Sequence, residues 1–153
     1  MNTITNEAKK IELHIPSILG YEKVAMACVA SVAKNMGFNN ARIEDLKSAV
    51  AEACINAIVH GNKMDSGSEV GIVVMIGSLS LEVYVTDDGQ GFGEIIMPEI
   101  EEQVEGKNRD RGWGIFLIRN LVDEIKVEKK PNDGNVVKMV FRLPKKTFFM
   151  NKV

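Results

Sequence analysis

The pattern of apolar and polar residues predicts five strands along the chain. In the first run, three aliphatic residues alternate with Glu12 and His14, as in a half-buried strand. Two later runs are rich in Val and Ile and are separated only by Gly77 and Ser78, which predicts an antiparallel hairpin. The final two runs lie on either side of a Pro-Asn-Asp-Gly turn. The predicted strands cover residues 9–15, 69–76, 79–86, 125–129 and 136–143.

Apolar residues at helical spacing predict a first helix over about residues 18–36. Pro16 and Ser17 form a start signal just before it. Gly37 stands where a C-cap glycine would end the helix. The positions of this helix that follow the helical period are Val24, Ala27, Cys28 and Ser31.

A second helix is predicted over about residues 42–60. Asn39 or Asn40 can cap its start. We expect Glu44 and Asp45 in its first turn, where the helix dipole favours negative charge. Its apolar stripe consists of Ile43, Leu46, Val50, Ala53 and Ala57.

Residues 93–111 break the periodic pattern and hold Pro98 and several acidic residues. A long irregular segment in a compact domain is usually a lid or a binding loop, so we expect a lid here. Order returns at Trp113 with a third, buried helix that ends near Asp123. Helices combined with mostly antiparallel strands predict an α+β fold, a two-layer sandwich with the helices on one face of a mixed, mostly antiparallel sheet. We expect one domain over residues 1–153.

Composition narrows the classes of function. The chain has 153 residues and a net charge of −2 at pH 7, which is not the polybasic signature of a nucleic-acid-binding protein. No apolar run approaches the roughly 20 residues that span a bilayer. We therefore expect a cytoplasmic protein that contacts neither nucleic acid nor membrane directly. The two cysteines, Cys28 and Cys54, are expected to be buried thiols without a disulfide bond.

Glu52 and Asn56 are four residues apart on the second helix and therefore share one face. They could belong to a solvated polar stripe of an amphipathic helix. They could instead line a pocket for a metal ion and acid–base chemistry. The Asn56 carbonyl oxygen suits Mg²⁺, which prefers oxygen ligands, and Glu52 could orient or deprotonate a hydroxyl group beside the ion.

A glycine-bearing cluster follows the predicted hairpin. Asp87 ends a strand, and Gly89 and Gly91 follow at alternate positions. The cluster could be a simple turn that ends the strand. In a binding site, the Asp87 carboxylate could accept a hydrogen bond from the exocyclic amine of adenine, and the glycines would let a nucleotide approach the backbone. Asp88 is a rival for the role of Asp87.

A second glycine cluster opens the third helix. Gly112 and Gly114 would expose backbone N–H groups at the helix N-terminus, which is a natural anion site. Arg109 and Arg111 precede it and could neutralise phosphate charge, or they could be solvated loop charges. Trp113 is expected to be a packing anchor or a surface contact.

The order and spacing of these clusters resemble the ATPase domain shared by gyrase, Hsp90, histidine kinases and MutL. Glu52 and Asn56 match its N-box, residues 87–91 its first glycine box and residues 112–114 its second. Residues 52–61 and 111–118 are also similar to the bacterial anti-sigma-factor serine/threonine kinases. The resemblance covers nearly the whole chain.

This resemblance implies a Bergerat-type fold that binds ATP and Mg²⁺ beneath the lid. It implies Glu52 as the catalytic base, Asn56 as the Mg²⁺ ligand and Asp87 as the adenine reader. It further implies nucleotide contacts from the remaining cluster residues, namely Gly89, Gly91, Arg111, Gly112 and Gly114. The implied activity is phosphorylation of a serine or threonine on an anti-anti-sigma factor, together with sequestration of an RNA polymerase sigma factor by a homodimer.

One departure from the family concerns the last strand, where the family often has Gly-Thr with the threonine near adenine. This chain has Gly134 and Asn135 there, so either Asn135 substitutes or one adenine contact is lost. Two other functions stay open. One is a non-catalytic module that binds ATP, or nothing, and masks a partner. The other is a histidine kinase fragment, which would need a phosphoacceptor histidine on a dimerising helical pair, whereas His14 and His60 lie on a strand and beside the nucleotide box.

Overall fold

The computed structural model describes residues 9–88, 111–131 and 134–144, with the backbone alone for residues 111–113. The described elements are strands, α-helices and one π-helical segment. In chain order they are β1 (Lys9–Pro16), α1 (Glu22–Met36), α2 (Asn40–Asn56), the π-helical segment (Ala57–Gly61), β2 (Glu69–Ile76), β3 (Ser80–Asp87), α3 (Arg111–Leu121), β4 (Glu124–Lys129) and β5 (Asn135–Arg142).

The strands form one sheet in the order β1-β2-β3-β5-β4. All four described pairings are antiparallel, so no parallel pair is present within the described part of the sheet. Alternate residues of β2, β3 and β5 are buried, because one face of the sheet carries the helices. The predicted α+β class and the predicted hairpin are confirmed.

The first helix differs from the prediction at its start and in its buried face. It begins at Glu22, because Gly20 has a φ of 108°, through which a right-handed helix cannot run. The Ser17 N–H donates to Ser68 O (3.0 Å) and holds the preceding turn against the chain before β2. Gly37 ends the helix with a φ of 97°, as predicted. The buried residues are Ala25, Val29, Val32 and Ala33, whereas Val24 is 47% exposed. The remaining helix-spaced positions, Ala27, Cys28 and Ser31, are likewise exposed or half-buried.

The second helix follows its prediction more closely. The Asn39 side chain caps it by accepting a hydrogen bond from the Arg42 N–H at 2.8 Å. The predicted apolar stripe is buried throughout. The expectation of acidic residues in the first turn is wrong, because the helix starts at Asn40 and Glu44 lies beyond that turn. The predicted end near residue 60 is also revised, since the α-helix stops at Asn56 and continues as a π-helix to Gly61.

Asp123 ties the third helix to the rest of the fold. Its carboxylate accepts hydrogen bonds from Arg42 Nη2 and from the Arg142 backbone N–H, both at 2.7 Å. Arg42 also donates to the Leu121 carbonyl oxygen at the end of α3. These contacts join the start of α2, the end of α3 and the end of β5, and they fix the helix layer over the sheet.

The described helices include none that is both long and apolar enough to cross a membrane. Both cysteines are free, as predicted. Cys54 is fully buried, and burial, with a smaller contribution from the nearby Glu22 carboxylate, raises the pKa of its thiol to about 12. Cys28 is only half-buried, so the expectation of two buried thiols holds for Cys54 alone.

Candidate functional site

The C-terminal end of α2 carries the predicted N-box residues on one helix face. Asn56 is 4% exposed, and its Nδ2 has no hydrogen-bond partner among the described groups. Glu52, one turn earlier, is half-buried, and burial raises the pKa of its carboxyl group above the usual value of 4.5. The helix therefore turns Glu52 and Asn56 toward the interior, and these two residues do not form a fully solvated stripe.

The N-terminus of α3 lies directly against Asn56. A Cβ atom added to Gly114 would be 2.5 Å from Asn56 Nδ2 and 3.0 Å from Oδ1. Only glycine therefore permits this close approach of the two helices. The contact joins the N-box to the second glycine cluster, which are far apart in the sequence.

Asp87 lies at the end of β3 and is 1% exposed, whereas Asp88 is exposed. The Asp87 side chain packs against Gly61, where an added Cβ would lie 2.4 Å from Asp87 Cγ. Of the two rival carboxylates, Asp87 is thus the one that faces the interior. The contact between Asp87 and Gly61 joins the end of the central strand β3 to the π-helical segment that continues α2.

The backbone of Asp87 contacts the chain around the start of β5. Its carbonyl oxygen accepts a hydrogen bond from Lys130 Nζ at 3.2 Å. A Cβ atom on Gly134 would lie 2.3 Å from the same oxygen, so glycine is required where β5 begins. These contacts place the Gly134–Asn135 pair of the last strand beside Asp87.

Asn62 organises this region, although the sequence analysis did not single it out. It is 4% exposed, and its Nδ2 donates to Ser17 Oγ and to the Glu69 carbonyl oxygen, both at 3.0 Å. Its Oδ1 accepts from the Asp88 N–H at 2.9 Å. Asn62 therefore positions the backbone that enters the first glycine cluster. Such a role depends on contacts between distant segments and leaves no local signal in the sequence.

The π-helical segment is a further feature that the sequence did not predict. Its i+5 hydrogen bond runs from the Asn62 N–H to the Ala57 carbonyl oxygen at 2.8 Å. Lys63 and Met64 follow with φ values of 50° and 61°, a region that non-glycine residues seldom adopt. Single π-helical turns occur frequently at functional sites, which agrees with the position of this one against Asp87.

Residues 15–141 match the family model of the histidine kinase-like ATPase domain. The chain is 34% identical over 128 residues to the serine-protein kinase RsbW of Bacillus subtilis (strain 168), a match that covers 80% of each chain. It is 37% identical over 126 residues to the serine-protein kinase RsbW of Oceanobacillus iheyensis, covering 78% of this chain and 79% of that one. The chain belongs to the anti-sigma-factor serine/threonine kinase family. The family predicted from the sequence is therefore confirmed.

Two solved structures share the fold of this kinase family member. One contains the RsbU and RsbW domains of a Mycobacterium tuberculosis protein, with a TM-score of 0.61 and 19% identity over 87% of this chain and 32% of that longer chain. The other is the SiaB–SiaC complex from Pseudomonas aeruginosa, with a TM-score of 0.62 and 9% identity over 89% of this chain and 90% of that one. At these identities the likeness establishes the fold alone.

Several residues expected in the kinase site lie outside the described part of the structure. These are Gly89, Gly91, Arg109 and most of the predicted lid. Arg111 and Gly112 are the first two residues of α3, so the helix begins where the lid was predicted to end. The side chains of Arg111 and Trp113 are not described. Their predicted roles stay predictions.

The described site residues suit the ATP use that the kinase family implies. The buried Asn56 amide lies against the first turns of α3, the half-buried Glu52 carboxyl group is one turn before it on α2, and the buried Asp87 carboxyl group lies against Gly61 at the end of the π-helical segment. The described residues contain no cluster of three or more His, Cys, Asp or Glu that could hold a metal ion. Mg²⁺ at nucleotide sites is commonly held by few protein groups together with the phosphates, and the carbonyl oxygen of the buried Asn56 amide is the kind of ligand that Mg²⁺ prefers.

Proposed function

We propose that this protein transfers the terminal phosphoryl group of ATP to a serine or threonine of an anti-anti-sigma factor. We also propose that it sequesters an RNA polymerase sigma factor as a homodimer. One observation carries the proposal of catalysis: Asn56, one turn after Glu52 on α2, lies against Gly114 of α3, and Gly61, at the end of the π-helical continuation of α2, lies against Asp87 of β3. The kinase relatives named above support the reaction type. The cytoplasmic location stays a prediction from the sequence.

Asp87 is the proposed adenine reader. Its buried carboxylate accepts a hydrogen bond from the exocyclic amine of adenine. Guanine presents a keto oxygen at that position, so two acceptors would face each other without a proton between them. Since a buried unpaired acceptor costs about 1–3 kcal/mol, the site would disfavour GTP.

Asn56 and the start of α3 are proposed to hold the phosphates. Asn56 would ligate Mg²⁺, and the bound ion would neutralise charge on the phosphate oxygens. The backbone N–H groups at Gly112 and Gly114 lie at a helix N-terminus, where anions are favoured. Contacts from Gly89, Gly91 and Arg111 are proposed from the family motifs.

Glu52 is the proposed general base. It lies one helical turn before Asn56, and its half-buried position raises its pKa, which makes its carboxylate a stronger base. The Glu52 carboxylate would accept the proton of the incoming serine hydroxyl while that oxygen attacks the terminal phosphorus. Positioning of the hydroxyl and the phosphate would supply most of the acceleration.

A substitution at Glu52 tests catalysis separately from binding. The Glu52→Gln variant removes the base but keeps size and hydrogen bonding, so the Kd for ATP should stay within about twofold, while transfer to a purified anti-anti-sigma factor falls about 10²–10⁴-fold. Labelled ATP measures transfer and calorimetry measures binding. Glu44→Gln is the matched control, because Glu44 is an exposed carboxylate on the same helix, paired with Lys47 at 3.2 Å.

The outcomes separate the alternatives. Near-normal transfer by Glu52→Gln would remove Glu52 from the role of base. Binding of ATP without any transfer by the wild-type protein would instead support the module that only masks a partner. Sigma-factor sequestration has its own test, which is co-purification of a sigma factor from native cells in the presence of ATP and then of ADP. The proposed homodimer is tested by sedimentation equilibrium.

A further inference from the structure

Asn135 carries a buried amide that the described fold does not satisfy. The residue is 2% exposed, and its Nδ2 has no hydrogen-bond partner among the described groups. Leaving a buried donor unpaired costs about 1–3 kcal/mol, so such a group calls for an explanation. Only one other buried side-chain nitrogen in the described residues shares this condition, and it belongs to Asn56 in the proposed phosphate site.

The register of the sheet places Asn135 beside Asp87. Strands β3 and β5 are antiparallel, with Val85 opposite Val137 and Thr86 opposite Val136. Continued by one step, this register sets Asp87 opposite Asn135. Residues that lie opposite each other project to the same face, with Cβ atoms about 4.5–5.5 Å apart. Val85 and Val137 are buried beneath the helices, and Asp87 and Asn135 lie two residues from them on the same face.

The close approach of the two strand ends supports this placement. Gly134 leaves no room for a Cβ beside the Asp87 carbonyl oxygen, and its own carbonyl oxygen accepts from the Lys130 N–H at 2.6 Å. The start of β5 is therefore held against the end of β3. A carboxylate acceptor and an amide donor stand next to each other on one buried face.

We infer that Asn135 is a second base-reading residue, whose Nδ2–H donates to the N1 ring nitrogen of adenine while Asp87 accepts from the neighbouring exocyclic amine. This inference rests on the proposed ATP site. Adenine presents a donor and an acceptor side by side on this edge, which complements an adjacent carboxylate and amide. Guanine presents a keto oxygen and an N1–H, which is the reverse order. The pair therefore explains the unpaired amide and strengthens selection for adenine.

Nucleotide analogues that each lack one of these groups provide the test. The Kd is measured by calorimetry for ATP, for 1-deaza-ATP, in which C–H replaces N1, and for purine riboside triphosphate, which lacks the amine. Asn135→Ala should weaken ATP binding about tenfold, as expected for one buried hydrogen bond. The same substitution should weaken binding of purine riboside triphosphate by a similar factor, because that analogue retains N1. It should leave the Kd for 1-deaza-ATP unchanged.

The controls keep a packing effect apart from base recognition. Asn35→Ala, which alters an exposed asparagine on α1, should bind all three nucleotides as the wild type does. Circular dichroism checks that each variant is folded. If Asn135→Ala does not fold, the wild-type protein still tests the inference, which requires that ATP bind about tenfold more tightly than 1-deaza-ATP. Equal binding of the two nucleotides by the wild type would overturn it.

Two further results would overturn the role of Asn135 while ATP binding by the wild type stands. One is an Asn135→Ala variant that binds ATP as tightly as the wild type. The other is an equal loss for ATP and 1-deaza-ATP, which would indicate a general packing role. A wild-type protein that binds no ATP would instead overturn the proposed function, so the two failures can be distinguished.

Discussion

Replacing Gly61 with alanine would place a methyl group in the space that the Asp87 side chain occupies. The added Cβ would lie 2.4 Å from Asp87 Cγ, 2.6 Å from its Cβ and 2.7 Å from Oδ2. A change of rotamer can move the carboxylate but cannot move the Asp87 Cβ, which is fixed by the β3 backbone. The π-helical segment and the end of β3 must therefore move apart.

The size of this effect follows from the distances. Non-bonded carbon atoms pack best at about 3.5–4.0 Å, so the 2.6 Å contact requires a separation of about 1 Å. Overpacking of this kind lowers the free energy of unfolding by about 1–3 kcal/mol. A shift of about 1 Å in the Asp87 carboxylate also disrupts hydrogen-bond geometry, so we expect the Kd for ATP to rise about tenfold or more.

Urea unfolding followed by circular dichroism measures the first effect, and calorimetry with ATP measures the second. With a typical urea dependence, the midpoint should fall by roughly 1 M. Gly71→Ala is the control, because Gly71 lies within β2 and the nearest atom to an added Cβ is 3.8 Å away. If Gly61→Ala matched Gly71→Ala in both midpoint and Kd, the packing of Asp87 against Gly61 would not govern nucleotide binding.

Two further predictions concern titratable groups. Because burial raises the pKa of Glu52, the pH–rate profile of phosphoryl transfer should fall in acid with an apparent pKa above 4.5. An apparent pKa at or below 4.5 in that profile would contradict the role of Glu52 as base. Asp123→Asn should lower the free energy of unfolding at pH 7 by about 1–2 kcal/mol in urea titrations, because Asp123 accepts charge-assisted hydrogen bonds from Arg42 and the Arg142 N–H. Burial acts to raise the pKa of Asp123, but these hydrogen bonds outweigh burial and lower the pKa below 3.8. The contribution of Asp123 to the free energy of unfolding is therefore complete above pH 3.8 and is lost as the pH falls through the folded-state pKa. Glu128→Gln is the control, because the exposed Glu128 carboxylate pairs only with Lys126, at 2.7 Å, in the described contacts. An equal decrease in the free energy of unfolding for Glu128→Gln would argue against a special role for Asp123.

The sequence by itself determined the order of the elements and the family. Strand alternation, the Asn39 cap and the Gly37 C-cap act over a few residues, so their signals are present in the local pattern. The motif residues Glu52, Asn56 and Asp87 stand at family spacing, which is why the kinase family could be predicted before any contact was known.

The buried face of α1 was decided by the tertiary structure. Residues 24–30 of this helix are all apolar, so this stretch offers more than one set of positions at the helical period. The turn before it, held by Ser17 and Asn62, sets the start of the helix at Glu22 and turns Ala25 and Val29 inward. The buried face is the one that packs against α2 and the sheet, and the apolar pattern of residues 24–30 alone does not contain those contacts.

The geometry of the candidate site was likewise decided only by the folded chain. The Gly61–Asp87 contact, the Gly114–Asn56 contact and the hydrogen bonds of Asn62 each join segments that are distant in the sequence. The pairing of Asp87 with Asn135 depends on the register between β3 and β5, where a slip of one residue would turn Asn135 to the opposite face. Local propensity specifies neither a register nor a close approach, because both are set by how the sheet and the helix layer pack together.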